Sequence, residues 1–162
     1  MRALAVTLVS LTMLVSLCLG DTSDTVGDEA KDFTVLDVDG MPHNLTDYRG
    51  KVLVVDFFAT WCGPCASQLE ELLALWPELN HSSVAFLAID IDDSESLDLV
   101  TSYRDTKGIG WPVAYQAADV GSDYNVDAIP TMVVIDGDGV IRFYHTGVVS
   151  REELKETILD LL

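Results

Sequence analysis

The sequence predicts one α/β domain with a central mixed sheet flanked by helices. Two continuous apolar runs, 51–58 and 84–90, indicate strands that are buried on both faces. A helical repeat of apolar residues follows the first run, and a Gly-Asp-Gly turn at 137–139 joins two strands near the C-terminus. A chain of 162 residues is long enough for one such domain.

Residues 1–20 predict a signal peptide or a membrane anchor. Residues 3–19 are uncharged and mostly apolar, and they follow the charged Arg2. This order is typical of an export signal. Cleavage of the segment and its retention as an anchor both fit the pattern, and lipidation of Cys18 is a third alternative.

The next part of the chain predicts a polar tether that leads into a β-hairpin. Residues 21–32 are polar and lack periodicity, so the folded domain is expected to span residues 33–162. Within residues 33–45, apolar and polar side chains alternate on both sides of a turn at Asp39 and Gly40. This pattern predicts a hairpin that covers one side of the fold.

The middle of the chain predicts two strands, each followed by a helix. The strand over 51–58 precedes a helix over 63–80, where apolar residues recur at steps of three and four: Leu69, Leu72, Leu73, Trp76 and Leu79. The strand over 84–90 precedes a second helix, which Ser94 is expected to cap. Residues 111–115 then predict a short strand.

The C-terminal part of the chain predicts an antiparallel hairpin and a final helix. The two strands of the hairpin are residues 131–136 and 140–145. Residues 150–153, Ser-Arg-Glu-Glu, have the capping-box pattern of a helix start, and this helix is expected to run to Leu162.

The charge of the chain excludes a nucleic-acid binder and favours a monomer. The 27 acidic and 9 basic residues give a net charge of −18, and no basic stripe is present to contact phosphates. Without residues 1–20, 8 basic residues face 27 acidic ones, so the net charge is −19. Such a charge keeps a protein soluble and monomeric by repulsion. An apolar fraction of 49% argues against intrinsic disorder.

The cysteines predict a redox pair. Cys18 lies in the leader, and Cys62 and Cys65 are too close in sequence for their disulfide to stabilise the fold much. A zinc site would need a second cysteine pair or two suitably spaced histidines, and three histidines lack that spacing: His43, His81 and His145. We therefore expect no metal and no other cofactor.

The position of the pair predicts different roles for the two sulfurs. Cys62 falls between a buried strand and a helix, where the unpaired N–H groups of the first turn favour a thiolate. We expect Cys62 to attack a substrate disulfide and Cys65, one turn into the helix, to resolve the mixed disulfide. Both residues would then form the redox-active disulfide.

Residues 55–65 resemble the active-site stretch of thioredoxin, including its Trp-Cys-Gly-Pro-Cys motif. The likeness covers 51–162 and includes three further stretches: 124–131, 136–139 and 146–154. The N-terminal hairpin and the longer segment between the second strand and residue 130 are similar to exported TlpA/ResA-like thioredoxins. The resemblance implies a thioredoxin fold with an N-terminal β-hairpin extension and a strand-helix insert.

This resemblance also implies an activity and a location. TlpA/ResA-like proteins are extracytoplasmic thiol-disulfide oxidoreductases, commonly membrane-tethered, and often reduce client proteins such as apocytochrome c. We therefore expect a protein of the cell envelope, secreted or anchored by its N-terminal segment. Its expected partners are disulfide-containing clients and a membrane-borne electron donor, because an exposed pair outside the cytoplasm is otherwise oxidised.

The resemblance assigns further site residues. Asp56 matches the buried thioredoxin aspartate that relays a proton through water to the resolving cysteine, and burial should raise its pKa. Pro130 matches the cis-proline beside the sulfurs, with Ile129 offering its backbone to an extended client. The remaining substrate-binding residues come from the motif: Trp61, Gly63 and Pro64.

Two positions depart from the thioredoxin pattern. Phe86 stands in place of the buried lysine that partners the aspartate in cytosolic thioredoxins, so Asp56 is expected to lack a cation. Glu70 stands where thioredoxins have a kinking proline, which predicts a straighter active-site helix.

Two other functions fit parts of the sequence. A thiol peroxidase shares the fold but needs a proline in a Pro-x-x-x-Thr-x-x-Cys pattern, which residues 55–62 lack. A thioredoxin-like Cu(I) chaperone would use two thiols and a histidine, normally with a wider cysteine spacing.

Overall fold

The computed structural model describes residues 26–162, and seven strands and four α-helices are present in this range. The strands are β1 (Thr34–Leu36), β2 (Pro42–Asn44), β3 (Val52–Phe58), β4 (Val84–Asp90), β5 (Val113–Ala114), β6 (Thr131–Ile135) and β7 (Ile141–Thr146). The helices are α1 (Gly63–Leu75), α2 (Leu97–Lys107), α3 (Ala118–Asp123) and α4 (Arg151–Leu159). The leader prediction for 1–20 lies outside the described residues.

Five strands form the central sheet in the order β5-β4-β3-β6-β7. Strands β3, β4 and β5 run parallel, whereas β6 is antiparallel to β3 and β7 is antiparallel to β6. The sheet is therefore mixed, as the sequence predicts. The carboxyl ends of β3 and β4 lie side by side with the start of β6, because Phe58 pairs with Asp90 and Phe57 pairs with Thr131.

Alternating side chains of β3 enter two apolar cores, one on each face of the sheet. On one face, Val54 and Phe58 belong to a core that includes apolar side chains of α1, α2 and α4. On the other face, Val55 and Phe57 belong to a core that includes α3 and the N-terminal hairpin. All seven residues of β3 are buried, which explains why its sequence is apolar without alternation.

The N-terminal hairpin forms as predicted, with β1 and β2 paired antiparallel across the turn at Gly40. Asp37 holds this turn by accepting hydrogen bonds from the N–H groups of Asp39 and Met41. Part of the 21–32 segment lies on the main sheet. The N–H groups of Gly27 and Ala30 donate to the carbonyl oxygens of Ile141 and Gly139, at 2.8 and 2.9 Å.

The insert between β4 and β6 differs in detail from the prediction. The second helix begins at Leu97, and its cap is Ser96, whose hydroxyl accepts the N–H of Leu99. Ser94 was expected to be the cap, and this prediction is wrong because its hydroxyl donates to Asp92 at 2.6 Å. Helix α3 was not predicted, since it has only six residues and no side-chain cap. No helix within 26–162 has the length and apolar character to span a membrane.

Tyr124 is fully buried, and its hydroxyl donates to the carbonyl of Lys31 at 2.7 Å. We expect Tyr124→Phe to lower the free energy of unfolding by about 1 kcal/mol, because it leaves a partly buried carbonyl without this donor. Tyr144→Phe is the matched control, since its hydroxyl donates to the carbonyl of Asn125 in an exposed position. Urea denaturation measures both, and equal losses would contradict the role of Tyr124.

Candidate active site

The cysteine pair lies where β3 gives way to α1. Cys62 is the N-cap of α1 and has extended backbone angles, and Pro64 lies in the first turn. The Sγ of Cys62 accepts the backbone N–H of Cys65 at 3.1 Å. The predicted contact between the first sulfur and the unpaired N–H groups of the helix is therefore present. Such groups stabilise negative charge on that sulfur.

The two sulfurs differ in their surroundings. They form a disulfide with an S–S distance of 2.08 Å and a Cα–Cα distance of 5.2 Å. Cys62 is 5% exposed and lines an open groove, whereas Cys65 is 1% exposed and lines a small internal cavity. A client molecule can approach Cys62 through the groove. The side of Cys65 that faces the small cavity is next to Asp56 and Tyr103.

Ile129, directly before Pro130, faces Cys62. The bond between Ile129 and Pro130 is cis, as the resemblance implied. The carbonyl oxygen of Ile129 lies 3.7 Å from the Sγ of Cys62. This proximity follows from the topology, because β6 starts directly after Pro130 and is antiparallel to β3, which ends just before Cys62.

The groove beside Cys62 has a volume of about 720 Å³, within the usual range for ligand sites. Four of the five residues predicted to bind substrate line it: Trp61, Gly63, Pro64 and Ile129. Trp61 is 68% exposed, and its indole N–H donates to Asp92 at 2.7 Å. Pro130 is buried behind Ile129 and is not among the lining residues.

Asp56 lies in the middle of β3 and is buried in an apolar environment. Burial raises its pKa to about 7. Its Oδ1 has no hydrogen-bond partner among the described residues, and no ion pair there includes it. Phe86, which replaces the thioredoxin lysine, is buried in the core on the α1 side, where its ring lies tilted against Trp76 and edge-on to Trp111.

Asp56 and Cys65 line the same internal cavity, together with Tyr103 and four apolar side chains. The volume of this cavity is about 10 Å³, close to the minimum that holds one water molecule. The structure thus brings together the aspartate and the second cysteine of the predicted site. One water is the largest species that could connect them.

An acidic loop after β4 holds the active-site loop in place. No role for this acidic loop was predicted from the sequence. Buried Glu95 accepts both the backbone N–H and the hydroxyl of Thr60, two residues before Cys62. Asp92 accepts the indole N–H of Trp61. A signal for these contacts was present, because parallel strands β3 and β4 end at the same edge and their following loops must meet.

Asp90 is a second buried carboxyl at this edge. It is fully buried at the end of β4, its Oδ1 accepts the N–H of Asp92 at 3.0 Å, and its Oδ2 has no hydrogen-bond partner among the described residues. Burial, with a smaller contribution from the charge of Glu95, raises the pKa of Asp90 to about 7. Asp90 does not line the cavity at Cys65.

Gln68 connects the active-site helix to the segment before α4. It is fully buried, its Oε1 accepts the N–H of Val149 at 2.7 Å, and its Nε2 donates to the carbonyl of Val149 at 3.3 Å. Helix α1 also runs without interruption through Glu70.

Within residues 26–162, no three His, Cys, Asp or Glu side chains converge so that they could hold a metal ion.

The described domain matches known proteins over most of its length. Residues 26–144 match the AhpC/TSA family. The chain is 32% identical over 136 residues to the thiol-disulfide oxidoreductase ResA of Geobacillus thermodenitrificans (strain NG80-2), an alignment that covers 83% of this chain and 77% of ResA. It is 30% identical to the thioredoxin-like protein YneN of Bacillus subtilis (strain 168), over 83% of this chain and 79% of YneN.

A solved structure of a related protein has a similar fold. The crystal structure of a thiol:disulfide interchange protein of the thioredoxin family from Chlorobium tepidum TLS aligns with a TM-score of 0.75 and 28% identity. The alignment covers 86% of this chain and 99% of that structure. Together with the cysteine pair at the start of α1, these likenesses confirm the expected relation to ResA-like proteins. The chain belongs to the AhpC/TSA family and is a thiol-disulfide oxidoreductase with a thioredoxin-like fold.

Proposed function

We propose that this oxidoreductase reduces disulfides of client proteins outside the cytoplasm, with Cys62 as the nucleophile. The observation that carries the proposal is the hydrogen bond from the Cys65 N–H to the Sγ of Cys62 at the mouth of the groove. In the reduced protein, this donor and the helix N-terminus favour the thiolate form of Cys62, which is the form that attacks disulfides.

The reaction consists of two exchanges. The thiolate of Cys62 attacks one sulfur of the client disulfide, forms a mixed disulfide, and releases the other client sulfur as a thiolate. The thiolate of Cys65 then attacks the Sγ of Cys62, closes the Cys62–Cys65 disulfide and releases the second client sulfur. Two electrons pass from the protein dithiol to the client, whose two sulfurs leave as thiolates and take up protons from solvent.

Asp56 is proposed to act in the second exchange. Its raised pKa makes it a base near neutral pH, and it shares the internal cavity with Cys65. One water in that cavity would carry the proton from the Cys65 thiol to the carboxylate. No cation among residues 26–162 pairs with Asp56, and burial is the cause of its raised pKa.

Client binding is proposed to use the groove and the backbone beside it. An extended client segment would lie along Ile129 and Pro130 as an added strand, which brings its sulfur to Cys62. Trp61 supplies exposed apolar surface next to that sulfur, with Gly63 and Pro64 on the helix side.

The location and the direction of electron flow are supported by the sequence. The uncharged segment 3–19 after Arg2 supports export or anchoring, with the domain outside the cytoplasm. The Gly-Pro pair between the cysteines resembles thioredoxin, whose potential of roughly −270 mV is that of a reductant, against about −120 mV for the oxidant DsbA. A membrane-borne dithiol donor would keep the pair reduced, and apocytochrome c is one client that the resemblance supports.

Mutation of each cysteine tests the assigned roles. In Cys65→Ser the mixed disulfide cannot be resolved, so we expect it to accumulate as a covalent complex with clients on non-reducing gels. In Cys62→Ser the remaining thiol lies in the internal cavity, and we expect at least tenfold less complex. Equal trapping by the two variants would show that the roles of the sulfurs are not those proposed.

Asp56→Asn tests the proton relay. We expect first-exchange rates to change little and the second exchange to slow tenfold or more, a modest share of a general-base effect of about 10²–10⁴. In the parent protein the second exchange should accelerate as pH rises through about 7, where Asp56 loses its proton, and the variant should lack this inflection. Stopped-flow measurement of Trp61 fluorescence, at about ten pH values between pH 5 and pH 9, resolves the first and second exchanges.

The same variant also changes stability with a defined sign. The pKa of Asp56 rises from 3.8 to about 7 on folding, so its carboxyl stabilises the fold least at high pH. We expect Asp56→Asn to be more stable than the parent. The difference in the free energy of unfolding should grow between pH 3.8 and about 7, to on the order of a few kcal/mol.

Asp90→Asn is the matched control for the proton relay, because that buried carboxyl has a similar pKa but lies away from Cys65. An equal slowing of the second exchange in both variants would contradict the relay.

Fractionation of cells tests the location and the direction together. We expect the protein in the membrane or extracytoplasmic fraction, with most of the pair trapped by alkylation as the free dithiol. A cytosolic protein would contradict export. A pair that is always oxidised in cells would contradict reduction of clients.

A further inference from the structure

We propose that the groove beside Cys62 selects client disulfides that are flanked by lysine or arginine in an extended segment. The inference rests on the proposed function and specifies its substrate class. It is carried by the distribution of charge in the groove, whose lining within residues 26–162 includes three carboxylates, no basic side chain and an apolar surface next to the reactive sulfur.

The groove has an apolar floor and an acidic rim. The floor next to Cys62 includes Trp61 and Ile129. The rim carboxylates come from two loops, one after β4 and one before β6: Asp92, Asp93 and Asp127. A client segment that places its sulfur at Cys62 therefore has its neighbouring side chains beside carboxylates.

The rim carboxylates are available to a basic client. Asp127 is exposed, and its side chain has no hydrogen-bond or ion-pair partner among the described residues. Asp93 is exposed, and among the described residues its carboxylate accepts only the N–H of Ala118, at 3.4 Å. Hydrogen bonds from Ser94 and Trp61 lower the pKa of Asp92, so it keeps its negative charge at neutral pH.

The basic side chains of the domain do not neutralise this rim. Five of them form ion pairs with other carboxylates: Arg49, Arg104, Arg142, Arg151 and Lys155. Lys31 donates to the carbonyl of Asp123, and Lys107 lies over the ring of Tyr103. Neither these seven side chains nor that of Lys51, the remaining basic residue of the domain, lines the groove.

Two electrostatic effects follow from an unneutralised rim at an open cleft. Lysine or arginine beside the client disulfide gains attraction in the bound state, and clients of this charge are steered to the groove. A glutamate in the same place is repelled. Because the rim is solvent-exposed, salt must weaken both effects within a Debye length of about 8–10 Å at ordinary ionic strength.

The overall charge of the protein could also favour basic clients, so the test must separate the rim from the rest of the surface. Asp93→Asn with Asp127→Asn removes two rim charges and keeps an acceptor oxygen for the N–H of Ala118. Asp138→Asn with Asp160→Asn removes two charges elsewhere. Asp138 and Asp160 line a shallow site with Gly50, at the end of the sheet opposite to Cys62.

The experiment measures kcat/KM for reduction of three peptides that share one disulfide and differ only in the flanking residues: lysine, glutamine or glutamate. We expect the parent protein to prefer the lysine peptide over the glutamate peptide by about tenfold at low salt. The ratio should fall below about threefold in 0.5 M NaCl, because screening shortens the range of the rim charges. It should fall similarly in the rim double variant and stay near tenfold in the distal double variant.

Equal rates for the three peptides in the parent protein would overturn the inference while leaving the proposed function intact. A preference that survives in the rim variant, or that falls equally in both double variants, would also overturn it. Failure of the reduced protein to reduce any of the peptides would overturn the proposed function and the inference with it.

Discussion

The site depends on one hydrogen bond at the junction of a strand and a helix, the contact between the Cys65 N–H and the Sγ of Cys62. At most helix starts a hydroxyl or carboxylate of the N-cap residue accepts such an N–H. Here sulfur takes that place, so the group that completes the helix is also the reactive group. The apolar strand β3 and its two cores fix where this junction falls, and the loop after β4 holds it through Glu95 and Asp92.

Burial divides the carboxylates near this junction into two kinds. Asp56 and Asp90 lie on central strands and form no ion pair within the described residues, and burial raises their pKa values to about 7. Asp92 lies in a loop where donors surround it, and its pKa is lowered. A short stretch of structure thus contains carboxyl groups that can accept a proton near neutral pH and others that remain charged. The carboxyl groups on central strands are of the first kind, and the carboxyl group in the loop is of the second.

The sequence predicted the fold and the cysteine pair because their signals are local. Strands β3 and β4 are continuous apolar runs, and the motif around Cys62 is specific. The short helix α3 lacks a side-chain cap and depends on tertiary contacts, which a local pattern does not contain. The error at Ser94 arose because Ser96 is an equally suitable cap two residues later. The contact of Glu95 joins residues 35 positions apart, and the parallel strands predict that the two loops meet but not which side chains pair. The contact of Gln68 joins residues 81 positions apart, and only the assembled fold reveals it.

The indole of Trp61 is 68% exposed, yet its N–H is bound to Asp92. A large aromatic ring that stands in solvent usually samples several rotamers, and a binding partner must select one of them. The bond to Asp92 makes that selection in the free protein. Trp61 therefore offers a rigid apolar surface before any client arrives, and little conformational entropy remains to be lost there on binding. Such preorganisation strengthens contact with a bound segment without requiring a close fit between that segment and the indole.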